Sequence, residues 1–261
     1  MVATPRSGNT WLRLLLGHAF QVPTFGIHVP TQAEVDRLPE HCMLQIHWLP
    51  TTEFVGLLQR CGFQIVTIAR HPLDVLISVL QFSLHAGETE RWLDGAGGDE
   101  SGIFGAMPTS HAFLRYATGP RAAALLGVTV GWWNRPGIVK VRYEDLVAHP
   151  AQVLQRTVQE LQPGWSDNVE DAVATLSFDK LRANNTNHHF WQGLANHWVR
   201  YIPPYMATAI RSAHASVFET LGYELSGSNL SVIDAEVNWI ATAGMSLHRH
   251  LVKLEREPLH R

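Results

Sequence analysis

Short apolar runs rich in β-branched residues alternate, over the first 150 residues, with segments whose apolar positions recur every three or four residues. That alternation predicts a parallel sheet covered by helices, an α/β fold in three layers. Four runs read as strands: MVAT (1–4), MLQIHW (43–48), FQIVTIA (63–69) and GIVKVR (137–142). The third is nearly continuous in apolar residues, as a strand buried on both faces should be. The first is short for a central strand, which leaves open whether residues precede it. Between strands, Leu12, Leu15, Leu16 and Ala19 give a helix over 10–20 one apolar face. The segment 51–62 opens on Thr51 and closes on Gly62, a cap at each end. The segment 71–85 carries Pro72 at its first helical position and Asp74 in its first turn, both favoured there.

Residues 87–110 are rich in Gly and polar groups and read as a long mobile loop, the kind that serves as a lid. Past residue 225, Ile233, Val237, Ile240, Gly244, Leu247, Leu251 and Leu254 alternate by four and three, a heptad seam interrupted by one glycine. Two readings stay open: a terminal helix folded back on its own domain, or self-association as a homodimer through this helix. The expected organisation is one domain over 1–225 and a C-terminal helical extension over 226–261.

Apolar residues make up 46% and charged residues 16%, a balance that supports a sizeable core. The net charge of −3 excludes a general nucleic-acid binder, so an anion site must be built locally from a few Arg side chains and backbone amides. Cys42 and Cys61 are too few for a disulfide framework and stand at no metal spacing; they read as small core residues in a reducing compartment. The run over 122–133 is too short to span a bilayer and 12–20 lacks a signal-peptide pattern, so a soluble, cytoplasmic protein is expected.

The candidate chemistry begins at TPRSGNTW (4–11). A strand feeding a turn that opens directly into a helix offers unpaired amides at the positive end of the helix dipole. Gly8 permits close backbone approach to an anion, Ser7, Asn9 and Thr10 add short donors, and Arg6 adds a charged fork. The nucleoside triphosphate loop G-x-x-x-x-G-K-[ST] is not matched, because the first Gly and the Lys-Ser/Thr pair are missing. ATP or GTP hydrolysis and small-molecule phosphotransfer are disfavoured accordingly.

PRSGNTW instead resembles, at every position, the phosphosulfate-binding loop P-[KR]-[SA]-G-[TN]-T-W of sulfotransferases that use 3′-phosphoadenosine 5′-phosphosulfate (PAPS). IARHPLDVLISV (68–79) is similar to that family's R-[ND]-P-x-D-x-x-x-S element, which implies that Arg70 and Ser78 bind the 3′-phosphate. KVRYEDLVAHP (140–150) resembles its Y-E-D-[LM] segment and implies Tyr143 as an adenine-side contact. QIHWLP (45–50) is similar to K-T-H-L-P and implies His47 as general base, a role that suits an imidazole near pH 7. Arg6 stands where the better-known cytosolic members have a catalytic Lys; it can stabilise the departing phosphate but not donate a proton to it. The loop carries Trp11 with it as a nucleotide contact.

The resemblance weakens over 178–198, similar to F-x-x-[ML]…R-K-G-x-x-G-D-W with Phe178, Gly193 and Trp198 aligned. Trp191-Gln192 replace the Arg-Lys pair that grips the 3′-phosphate, and Asn196-His197 replace G-D. Losing two cations weakens that grip unless Arg182, Asn184 or Asn185 substitutes. Gly193 is carried over as a nucleotide contact.

The resemblance implies a P-loop NTPase-like sulfotransferase fold, PAPS as donor and 3′-phosphoadenosine 5′-phosphate (PAP) as product. No metal is implied; His188 and His189, like His248 and His250, read as surface residues. The expected reaction moves a sulfuryl group to a hydroxyl, in second place an amine, of a small, medium-sized, glycan or lipid-type acceptor. The alternative is a catalytically impaired PAP/PAPS-binding protein serving as a sensor or partner-binding module. An acceptor pocket is expected from 87–110 with Phe82, Trp92, Phe104 and Phe113.

Overall fold

The computed structural model describes residues 1–84, 89–165, 167–184 and 190–242. Two parallel pairs, β1 (Thr24–Gly26) with β2 (Met43–Gln45) and β3 (Ile65–Ala69) with β4 (Ile138–Arg142), flank the first four residues. Val2 bridges in parallel to Ile46 and donates its N–H to Val66 at 3.0 Å. The two-stranded sheets thus lie on either side of residues 1–4, in the lateral order β1, β2, residues 1–4, β3, β4, with each strand pair and the Val2–Ile46 bridge parallel. Residues 1–4 also alternate as a strand does: Met1 and Ala3 pack into one apolar cluster and Val2 into the other. β1 has no counterpart in the sequence pattern, since three residues are too few to show a period. β2 and β3 are shorter than the apolar runs that announce them.

Helix Asn9–Ala19 buries Trp11, Leu12, Leu15, Leu16 and Ala19 against Val66, Ile68 and Val141 on one face of the sheet. The other face carries helix Pro72–Ser83, buried at every residue, and helix Pro120–Trp133. Pro72 begins its helix as expected, and the imidazole of His71 caps it, accepting from the Leu73 N–H at 3.2 Å. Thr4 locks the end of the first strand segment to the opposite layer: its N–H donates to Thr129 Oγ1 and its hydroxyl to Leu125 O, both at 2.8 Å. The turn over residues 5–8 thus starts from a fixed point. Among the described residues no helix is long and apolar enough to cross a membrane.

Three expectations are corrected. Residues 89–110 are not a free loop. They form turns over Thr89–Gly95 and Ser101–Ile103, held by a buried Arg121 that donates to Glu100 at 2.8 Å and to the carbonyls of Thr89, Trp92 and Ala96. A polar, Gly-rich segment looks mobile in sequence, but one guanidinium with several donors satisfies its carbonyls from within. Residues 87 and 88 lie outside the described residues.

Cys42 is half-buried and Cys61 exposed, because both sit at element ends rather than on apolar faces. Residues 232–242 form a helix that buries Ala235 and Trp239, whereas the seam residues Ile233, Val237 and Ile240 face outward, Ile233 at 73% exposure. The face that packs on the domain is thus the one opposite the seam. Gly244, Leu247, Leu251, Leu254, His248 and His250 lie outside the described residues, as do Asn185, His188 and His189.

Candidate functional site

The loop after the first strand segment takes an unusual backbone path. Arg6 (φ 65°) and Gly8 (φ 96°) are both left-handed, and Gly8 is the residue from which helix Asn9–Ala19 starts. A Cβ on Gly8 would lie 2.5 Å from the Tyr143 ring, so the glycine is required by φ and by space. Asn9 turns its amide inward, Nδ2 donating to Thr4 O at 2.7 Å, and closes the loop on itself. Arg6 Nε donates to Ser78 Oγ at 3.1 Å, and the guanidinium stands 4.4 Å over the Phe82 ring. Burial, then the neighbouring Arg70, push the Arg6 pKa down to about 9, which leaves it cationic at neutral pH.

His47 follows β2 and reaches back to the same loop. Its Nδ1 lies 2.7 Å from Ala3 O. A carbonyl can only accept, so Nδ1 carries a proton, and the ring's other nitrogen is Nε2. Gln45 Nε2 lies 3.4 Å from that Nε2, and the Trp92 ring stands edge-on at 6.3 Å.

Arg70 leaves the carboxyl end of β3 and is nearly buried. Its terminal nitrogens donate to Arg6 O and Leu194 O, each at 3.1 Å, with His197 Nδ1 at 3.3 Å. Its guanidinium lies 4.3 Å over the Tyr143 ring. Much of the donor capacity expected for a phosphate therefore ties the loop at Arg6 to the segment at 194–197. Asp74, read in sequence as a first-turn helix residue, is fully buried and accepts the Trp198 N–H at 2.8 Å. Glu144 accepts from the His71 N–H at 2.9 Å and the Tyr223 hydroxyl at 2.8 Å. His71, Asp74, Glu144 and His197 are polar anchors that sequence reasoning missed; an acidic residue in a buried helix's first turn was the one available signal.

These anchors couple stability to pH. Burial lowers His71 to about 4 and, with Arg70 second, His197 to about 3, against 6.5 for a free imidazole. As pH falls from about 6.5 toward 4, the unfolded chain takes up two protons that the native state refuses, and stability is lost. Burial raises Asp74 to about 6 from 3.8, so the native state gains one proton first and offsets part of that loss. Thermal melts should show a falling midpoint from pH 7 to pH 4. His71→Asn, which keeps a capping acceptor, should make the decline shallower.

Arg6, Gly8, Asn9, Thr10 and Trp11, with His47, Arg70, Ser78, Tyr143 and Gly193, line one cavity. Ser7 is buried beside it and is not part of the lining. Of the acceptor-side aromatics, Trp92 lines the cavity and Phe82 lies under Arg6; Phe113 is core, and Phe104 is 40% exposed and outside the lining. Arg182 pairs with Asp179 at the surface, and neither it nor Asn184 lines the cavity. The wall in question is made instead by Trp191, Gln192, Gly193 and His197. At the aromatic end, Trp11 and Phe178 meet edge to face at 5.6 Å. A Cβ on Gly193 (φ 69°) would lie 2.3 Å from the Phe178 ring. Gly193→Ala should therefore displace Phe178 and lower the midpoint of thermal unfolding, a strained φ and a shifted ring each costing on the order of 1 kcal/mol. Among the described residues, no group of His, Cys, Asp or Glu could hold a metal ion.

A family model described as the sulfotransferase domain matches residues 1–222. No curated protein matches the chain. Among solved structures, the mouse sulfotransferase SULT7A1 complexed with PAP is 15% identical, with a TM-score of 0.63 over 83% of each chain. A retinol dehydratase in complex with androsterone and inactive cofactor PAP is 16% identical, with a TM-score of 0.50 over 76% of this chain and 59% of the other. At these identities the likeness is one of fold.

Proposed function

The chain belongs to the sulfotransferase family, and from that premise we propose that it transfers a sulfuryl group from PAPS to a hydroxyl of a small or medium-sized acceptor. The observation that carries this reading is placement: His47, anchored through Nδ1 to Ala3 O, lines the same cavity as Arg6, Arg70 and Ser78. The residues present fit the nucleotide. Gly8, at the start of helix Asn9–Ala19, brings the backbone to the cavity, Arg6 supplies a cation, and Trp11 and Phe178 offer apolar faces suited to a purine.

When bound, PAPS supplies the sulfuryl group and leaves as PAP. His47 Nε2 takes the acceptor hydroxyl's proton as the acceptor oxygen bonds to sulfur and the sulfur–oxygen bond to the 5′-phosphate breaks. Arg6 faces the charge that grows on the departing phosphate oxygen, and its permanent cation stabilises that charge without giving up a proton. Ser78 orients the Arg6 guanidinium.

A second reading is favoured by one observation: Trp191 and Gln192 form the wall where two cations would grip the 3′-phosphate, and Arg70 is engaged by protein carbonyls. It describes a nucleotide-binding relative without transferase activity. Incubation with PAPS and a panel of phenolic, alcoholic and amine acceptors, with mass detection of sulfated product and PAP, separates the two. Product formation that requires both partners supports the first; binding of PAP with no product from any acceptor supports the second.

A further inference from the structure

The helix over residues 232–242 does not line the cavity but is tied to two residues that do, Trp191 and Gln192. Gln192, which lines the cavity, donates from Nε2 to the Tyr201 hydroxyl at 3.1 Å. Tyr201 donates in turn to Thr242 Oγ1 at 3.2 Å, and Thr242 to Asn238 O at 2.6 Å. The Thr242 proton is committed to a carbonyl, which can only accept, so Thr242 Oγ1 is the acceptor toward Tyr201, whose one hydroxyl proton is shared between Thr242 Oγ1 and Gln192 Oε1 at 3.3 Å. Beside it, the Trp239 ring is 1% exposed and meets Trp191 at 5.9 Å and Tyr201 at 5.6 Å, both edge to face. Trp191 also meets His197 at 5.4 Å. Ser231 caps the helix, and Asn238 Nδ2 donates to Arg200 O at 3.0 Å. Thr109 donates to Glu236 at 2.7 Å, which joins the helix to the segment 89–110 as well.

A cation pair at 191–192 would bind phosphate by charge and tolerate some play in its position. A neutral indole and an amide can contribute only through contact, which falls off over a fraction of an ångström, so their usefulness depends on being held in place. We propose that the helix over residues 232–242 is a positioning element of the nucleotide site, with Trp239 and Thr242 holding the Trp191–Gln192 wall at the distance where it contacts the nucleotide. The inference rests on the nucleotide-binding reading above.

The test uses the full chain and two readouts: calorimetric titration with PAP, and hydrogen exchange of peptides covering 190–201 without ligand. Trp239→Ala should weaken PAP binding about tenfold, the effect of losing two aromatic contacts and their packing. Thr242→Val, which removes the hydroxyl and keeps the volume, should weaken it about fivefold. Both should speed exchange over 190–201 and leave exchange in β4 unchanged, and Trp239→Phe should restore most of the affinity. If Trp239→Ala does not fold, Thr242→Val carries the test alone. PAP affinity within about twofold of the parent in the folded variants overturns the inference, whether or not exchange rises, since the helix then serves packing only. Absence of PAP binding by the parent protein is a different failure: it overturns the nucleotide-binding reading and the inference with it.

Discussion

Replacing His47 with alanine is expected to lower turnover by at least about a hundredfold while leaving PAP affinity within about twofold, the scale of a lost general base. The asymmetry follows from geometry. The imidazole is anchored by a carbonyl of the first strand segment and stands beside Gln45 and Trp92, away from the backbone turn at residues 5–8. Removing it takes away the proton acceptor and leaves the loop, whose shape is set by Thr4, Gly8 and Asn9. Steady-state kinetics on an authentic acceptor, run with PAP calorimetry on the same preparation, measure both halves. Near-parental turnover would remove His47 from the reaction.

Arg6→Gln is expected to lower kcat by about 10²–10³, the usual cost of removing one preorganised group aimed at charge that develops in the transition state. Unlike His47, Arg6 should also affect nucleotide affinity, because its cation is present before reaction. Arg6→Lys should recover only part of the loss: a point charge cannot both bond Ser78 and cover the Phe82 ring as the guanidinium, 4.4 Å from its centroid, does. The backbone at this position should hold in either variant, since Arg70 binds the Arg6 carbonyl rather than its side chain. Equal kcat in the parent and Arg6→Gln would mean that the charge is met elsewhere.

The larger elements were legible because burial imposes periods that survive in the sequence. Helix Asn9–Ala19 shows its apolar stripe, and β3 is a continuous apolar run because both faces are covered. The loop was legible for a different reason: Gly8 and Arg6 must meet a backbone conformation and a charge requirement that few residues satisfy. What escaped was polar and long-range. Arg121 looks like a helix-start residue, yet it organises residues 89–110 from inside. Asp74 meets His197 and the Trp198 N–H from over a hundred residues away, and nothing local announces the meeting. The C-terminal seam misled because a four-three spacing identifies a helix face without saying which way it points. Trp239, off that seam, is the residue the domain buries.

If the cavity between the loop at 5–8, His47 and the wall at 191–193 holds a 3′-phosphorylated adenine nucleotide, PAP must bind there without a metal. Calorimetric titration of the full-length chain with PAP, alongside ATP with magnesium, tests it most directly. Micromolar binding of PAP and none of ATP with magnesium are expected, since the Lys-Ser/Thr pair for a γ-phosphate is absent from the loop. Failure to bind PAP, or equal binding of both nucleotides, would contradict the nucleotide-binding reading.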